Sequence, residues 1–283
     1  MKIAVNSYSF SKLMQKENVS QKDCIALAKE LGYDGIEFSE IAAPEGVSKL
    51  DYAKELAEEA KRQSLPIVNF CTGANFAKSG DALAKEIEET CAKVEIAAVL
   101  GVPHMRHDAT FCLGEYRTFD EALPSIAEGC RAVTEYAAAR GIRTMVENHG
   151  FIFQDPDRLE ALRRAVNHPN FGFLLDMGNF LCGDCDPAYA CGRLREGAFF
   201  MHAKDFIVKP GTGTNPGEGF FRSRTGNYLR GTIVGHGAVP VTSCLFALQN
   251  IGYDSWISVE FEGIEDTMEA LRIDLANLRN YLQ

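Results

Sequence analysis

The sequence predicts an α/β protein, a (β/α)8 barrel that forms a single domain over residues 1–283. Three observations predict it. Short apolar runs rich in β-branched and aromatic residues alternate with longer segments of helical period, the runs number eight, and no segment is left over. A strand that recurs after each helix runs parallel to the one before it, and eight such units close a barrel where fewer would leave an open sheet.

The first run, "KIAVNSY" (2–8), precedes "SQKDCIALAKELG" (20–32), which opens on a serine cap and closes on glycine. "GIEFSE" (35–40) leads into "SKLDYAKELAEEAKRQS" (48–64), and "PIVNFCT" (66–72) into "GDALAKEIEETCAKVEIAAVLG" (80–101). "HMRHDA" (104–109) with "FDEALPSIAEGCRAVTEYAAARG" (119–141) makes the fourth unit, and "RTMVENH" (143–149) with "DPDRLEALRRAVN" (155–167) the fifth. "FGFLLDM" (171–177) is followed by "DPAYACGRLREG" (186–197). The seventh run, "AFFMHAKD" (198–205), is separated from its helix "VPVTSCLFALQNIG" (239–252) by a Gly- and Pro-rich stretch at about 207–238. "WISVEFE" (256–262) and "EDTMEALRIDLANLRNYL" (265–282) complete the count. A long connection after a barrel strand sits on the catalytic face, so 207–238 is expected to be an irregular active-site loop that closes over substrate.

Hydrophobic residues at 46% and charged residues at 24% are the composition of an ordinary globular chain with ample core. A net charge of −10 with no Lys/Arg-rich run repels a phosphate backbone, which excludes nucleic acid as a partner. No stretch approaches the roughly 20 apolar residues that cross a bilayer, and the N-terminus lacks a signal-peptide pattern, so a cytoplasmic protein with no membrane partner is expected. Nine scattered cysteines read as free thiols of a reducing compartment. "CGDC" (182–185) lacks the second pair a zinc site would want, so its thiols are read as structural. Assembly into a homo-oligomer stays open.

Four consecutive strands end on an ionisable group: Glu147 in "TMVENHG", Asp176 in "GFLLDMGN", His202 in "FFMHAKD" and Glu260 in "WISVEFEG". Taken singly, such an acid more often caps a helix or pairs with a lysine. Four in register are different, because strand ends of a closed barrel converge on its axis, and three carboxylates there repel unless a cation neutralises them. One divalent metal ion bound by Glu147, Asp176, His202 and Glu260 is therefore expected. This mostly oxygen donor set favours Mn²⁺, then Mg²⁺ or Co²⁺, and tolerates Zn²⁺. Side-chain alternation puts His149, Lys204 and Glu262 on the same face one layer higher, where a polar substrate would sit, and turns Asp205 outward. Glu37, Asn69, Arg106, His107 and Asp108 also lie near strand ends, His107 being the candidate for a further substrate contact. In the long stretch Arg222, Arg224 or Arg230 is placed to reach substrate.

In order and spacing, "VENHG", "LLDMGNF" followed by "DP", "MHAKDF", "GHGAVP" and "GYDSWISVEFEG" resemble the sugar phosphate isomerase/epimerase superfamily, the xylose isomerase-like TIM barrels. The resemblance spans essentially the whole chain. It implies a metal on Glu147, Asp176, His202 and Glu260, with Glu147 and Glu260 also serving as the catalytic acid/base pair on opposite faces of the substrate. An ion chelating a carbonyl and its neighbouring hydroxyl acidifies the C–H between them and stabilises the enediolate left when a carboxylate takes the proton. Lys204 would stabilise the developing oxyanion and His149 would bind a hydroxyl. Two positions depart from the ketose 3-epimerases: Asn179 stands where they carry a histidine, and Lys204 and Asp205 follow His202 where they carry an arginine.

The leading expectation is thus an enzyme: a metal-dependent isomerase or epimerase of a small carbohydrate or cyclitol. A lyase on the same scaffold, acting on an inosose or a 3-keto glycoside, uses the same metal and base. A carbohydrate-binding protein that kept the barrel and lost catalysis is the third reading, and four intact ligand positions argue against it. No Gly-rich phosphate cradle precedes a helix, which points to an unphosphorylated substrate.

Overall fold

The computed structural model describes all residues from Met1 to Gln283. In chain order the elements are β1 (Lys2–Asn6), α1 (Ser11–Glu17), α2 (Gln21–Leu31), β2 (Gly35–Ser39), α3 (Lys49–Gln63), β3 (Ile67–Thr72), α4 (Gly80–Leu100) and β4 (His104–His107). Then come α5 (Phe119–Ala138), β5 (Arg143–Glu147), α6 (Pro156–Val166), β6 (Phe171–Asp176), α7 (Asn179–Cys182), α8 (Pro187–Leu194) and β7 (Ala198–Ala203). The last third holds β8 (Asp205–Lys209), β9 (Phe221–Arg222), β10 (Tyr228–Thr232), α9 (Val241–Gln249), β11 (Trp256–Val259) and α10 (Thr267–Tyr281).

Eight strands close into a barrel in the order β1-β11-β7-β6-β5-β4-β3-β2, each recorded pair parallel. All eight sequence-predicted strands and all eight helices are present, with ends trimmed by a few residues. Contacts group the chain into Met1–Ile36 with Leu175–Gln283, and Glu37–Leu174, a division that falls inside β2 and inside β6.

Local chemistry explains the boundaries. Ser20 and Asp23 form a capping box at the start of α2, Ser48 and Thr118 accept the N3 amides of α3 and α5, and Gly32 and Gly101 take the left-handed conformation that ends α2 and α4. Every residue of β3 and β6 is buried, as expected where helices cover a parallel sheet on its outside and side chains fill its inside.

Two expectations give way. The stretch at 207–238 is irregular only in part: β8, β10 and β9 form an antiparallel three-stranded sheet, with Asp205 opposite Thr232 and Lys209 opposite Tyr228, and irregular chain fills 210–220 and 233–238. Asp184 pins this excursion by accepting from Ser223 Oγ (2.8 Å), Thr225 N (2.7 Å) and Asn227 Nδ2 (3.0 Å). Asp205 does not point outward either. Because β7 stops at Ala203 and a new strand starts at Asp205, the alternation resets, and the buried carboxylate accepts from Phe206, Gly235, Gly237 and Val239 amides at 2.8–2.9 Å.

Candidate metal centre and its surroundings

Within the unit that contains β7 and β11, three expected ligands come together. His202 Nδ1 lies 3.7 Å from Asp176 Oδ2 and 3.7 Å from Glu260 Oε1. Asp176 and His202 are wholly buried. The chain turns tightly after β6, so Gly178 and Asn179 amides donate to Asp176 Oδ1 at 2.8 and 2.9 Å and leave Oδ2 facing the histidine. Asn6, at the end of β1, accepts from Tyr8 N with its Oδ1 and so aims its Nδ2 at Glu260 Oε1, 3.2 Å away. Glu147, the fourth expected ligand, is the last residue of β5 in the other unit and is buried.

That spacing fits a divalent ion. Donors at about 2.0–2.2 Å from one centre stand about 3 to 4.3 Å from each other, so a small contraction would complete the shell. Charge fits as well. Around Lys204 three carboxylates, of Asp176, Glu260 and Glu262, face a single ammonium, a surplus of acid that favours a further cation.

Lys204 stands between β7 and β8 with its ammonium 2.5 Å from Glu260 Oε2, 3.3 Å from Asp176 Oδ2, 3.5 Å from Glu262 Oε2 and 3.3 Å from Asn179 Oδ1. In the other unit Arg106 Nη2 pairs with Glu147 Oε2 at 2.7 Å and Asp108 Oδ1 at 2.8 Å. The same Asp108 oxygen lies 3.1 Å from His149 Nδ1. Burial works to lower the His149 pKa, but the hydrogen bond to Asp108 and the nearby carboxylates outweigh it and hold the imidazole above its ordinary value.

The remaining expected contacts are distributed differently. His107 is fully buried, its Nδ1 2.9 Å from the Asp108 carbonyl and its ring edge-on to Phe76; burial pushes its pKa down to about 4. Arg222 stays within the excursion, donating to the Gly211 and Gly226 carbonyls and to Tyr228 Oη (2.6 Å) and stacking 3.6 Å over the Tyr228 ring. Arg230 pairs with Glu265 at 3.4 Å. All nine cysteines are free, and Cys182 packs on Phe206 and Leu229. Sequence reasoning gave Asn6 no role and Arg106 no partner. The signal for both was their place at the end of a barrel strand.

The solved structures show the same fold at low identity. The IolI protein with a bound zinc atom is 19% identical, with a TM-score of 0.78 over 100% of this chain and 98% of that one. The probable 3-DHS dehydratase AsbF of Bacillus anthracis is 19% identical, with a TM-score of 0.76 over 99% of both chains. An L-ribulose 3-epimerase is 16% identical, with a TM-score of 0.75 over 99% of this chain and 94% of that one. No curated protein matches the sequence. The xylose isomerase-like TIM barrel model matches residues 25–281, nearly the whole chain, and the protein belongs to that family.

Proposed function

We propose that the protein is a divalent-metal-dependent isomerase or epimerase of a small polyhydroxy carbonyl compound. The carrying observation is the convergence of Asp176, His202 and Glu260, with His202 Nδ1 3.7 Å from a carboxylate oxygen of each; Glu147, at the end of β5, is read as the fourth ligand. These residues would hold the ion, Mn²⁺ being the best match to their mostly oxygen donors. When bound, a divalent ion polarises a substrate carbonyl and the adjoining hydroxyl. Glu147 and Glu260 come from different strands and are the proton-transfer pair. Arg106 orients the first through its 2.7 Å contact, and Asn6 and Lys204 orient the second. Lys204 and Glu262 bind the polar groups of the substrate. The epimerase and the zinc-containing barrel among the similar structures agree with this reading.

A second reading, elimination, is favoured by one pair. Asp108 holds His149 by a 3.1 Å contact at Nδ1, which leaves the rest of the partly exposed ring to donate a proton to a departing hydroxyl. The probable dehydratase among the similar structures agrees with it.

One experiment tests both. The Mn²⁺-loaded protein is incubated in D₂O with ketoses, inososes and 3-keto glycosides and followed by NMR. Deuterium at the carbon beside the carbonyl with retention of all hydroxyls is expected. New alkene signals would favour elimination, and no exchange or turnover on any substrate with metal bound would sink both readings.

A further inference from the structure

Lys204 is buried, and its ammonium sits on the oxygens a cation would want. It contacts Asp176 Oδ2 at 3.3 Å, the same oxygen that faces His202 Nδ1, while Asp176 Oδ1 is already held by two backbone amides. Its 2.5 Å contact is to Glu260 Oε2. The aliphatic stem is seated over Gly178, where an added Cβ would come within 2.9 Å of Lys204 Cγ and within 2.9 Å of its carbonyl oxygen. Carboxylates this buried repel one another without a counter-charge, and the ammonium supplies one. A divalent ion supplies a stronger one, and two cations cannot share Asp176 Oδ2 without repulsion. Glu262 offers the way out: its Oε2 is 3.5 Å from the ammonium and its side chain is a quarter exposed, whereas Asp176 is wholly buried.

We propose that Lys204 is a captive counter-ion. It holds Asp176 and Glu260 together in the metal-free chain, yields them to an entering divalent cation, and turns to Glu262, where its ammonium meets substrate. The inference rests on the metal reading above, and its test separates the two.

The test measures Mn²⁺ binding by calorimetry and thermal unfolding of the chelator-treated protein, for the wild type, Lys204→Met, Glu262→Gln and the double variant. Removing the competing ammonium should tighten Mn²⁺ binding in Lys204→Met by about tenfold, the scale of coupling between groups in contact, while lowering the melting temperature of the metal-free chain. Glu262→Gln should weaken Mn²⁺ binding, because the lysine then has no outward partner. In the double variant the affinity should return to that of Lys204→Met. Unchanged or weaker binding in Lys204→Met overturns the proposal, as does a Glu262→Gln loss that persists undiminished without the lysine. Should Lys204→Met fail to fold, Glu262→Gln alone decides, since unaltered Mn²⁺ affinity there refutes the hand-over. A wild type that binds no Mn²⁺ removes the metal reading. The melting arm then still judges Lys204, whose replacement must destabilise the metal-free chain.

Discussion

Asp176, a single carboxylate in β6, meets two amides with one oxygen and a histidine and a lysine with the other, so its orientation is fixed before any ligand arrives. Glu147 and Glu260 are held comparably by Arg106 and by Asn6 with Lys204. Under the proposed function, replacing either glutamate by glutamine keeps an oxygen for the metal and removes a carboxylate that would carry the proton. Turnover should therefore fall roughly 10²-fold or more with the fold and metal content retained, as checked by steady-state rates beside elemental analysis. Asp274 offers a test through stability. Burial, with Asp205 and Glu265 nearby, lifts its pKa to about 8 although Val234 N donates to it. A carboxyl whose folded pKa lies above its unfolded value, about 3.9, stabilises fully in acid and loses that contribution as pH rises toward 8. Asp274→Asn should flatten the decline in denaturation midpoint between about pH 4 and 8, and an unchanged slope would show that other groups cause it. At this scale the sequence displayed the strand-end acids, because a carboxylate closing an apolar run is visible in one dimension. It hid the Arg106–Glu147 contact, which depends on the register of β4 against β5, where Arg106 lies opposite Met145.

Among the elements, the barrel strands were legible and the excursion was not. Most barrel strands are apolar runs followed by a helix of clear period, whereas β8 and β10 pair across an intervening segment rich in Gly and Pro, whose composition signals a loop. Helix α1 escaped notice for another reason: it has no buried residue, so no apolar stripe marks its period. The excursion depends on Asp205, which gathers four backbone amides from its own strand and from 235–239. Asp205→Ala strands those donors in a buried place. Loss of at least about 2 kcal/mol in a urea titration is expected, with Asp205→Asn recovering part of it. A change within a few tenths of a kcal/mol would mean the 235–239 turn is held by other contacts.

For the molecule as a whole, ligand binding and stability should be linked. An ion that binds only the folded chain stabilises it by about 2.7 kcal/mol at a hundred times its Kd. Mn²⁺ should therefore raise the melting temperature of the chelator-treated protein and leave that of His202→Ala, which lacks a ligand atom, much less affected; equal shifts in both would place the ion elsewhere. No helix is long and apolar enough to cross a membrane. The excursion, finally, is joined to β7 by Lys204 alone, since β7 ends at Ala203 and β8 begins at Asp205. Its tip, residues 212–219, is exposed throughout. To an engineer this is a port with a short cable. A peptide or fluorophore grafted at Asn215 hangs from exposed chain that tolerates insertion, while a single residue of linker ties the first strand of the sheet that carries the graft to the barrel strand that carries His202.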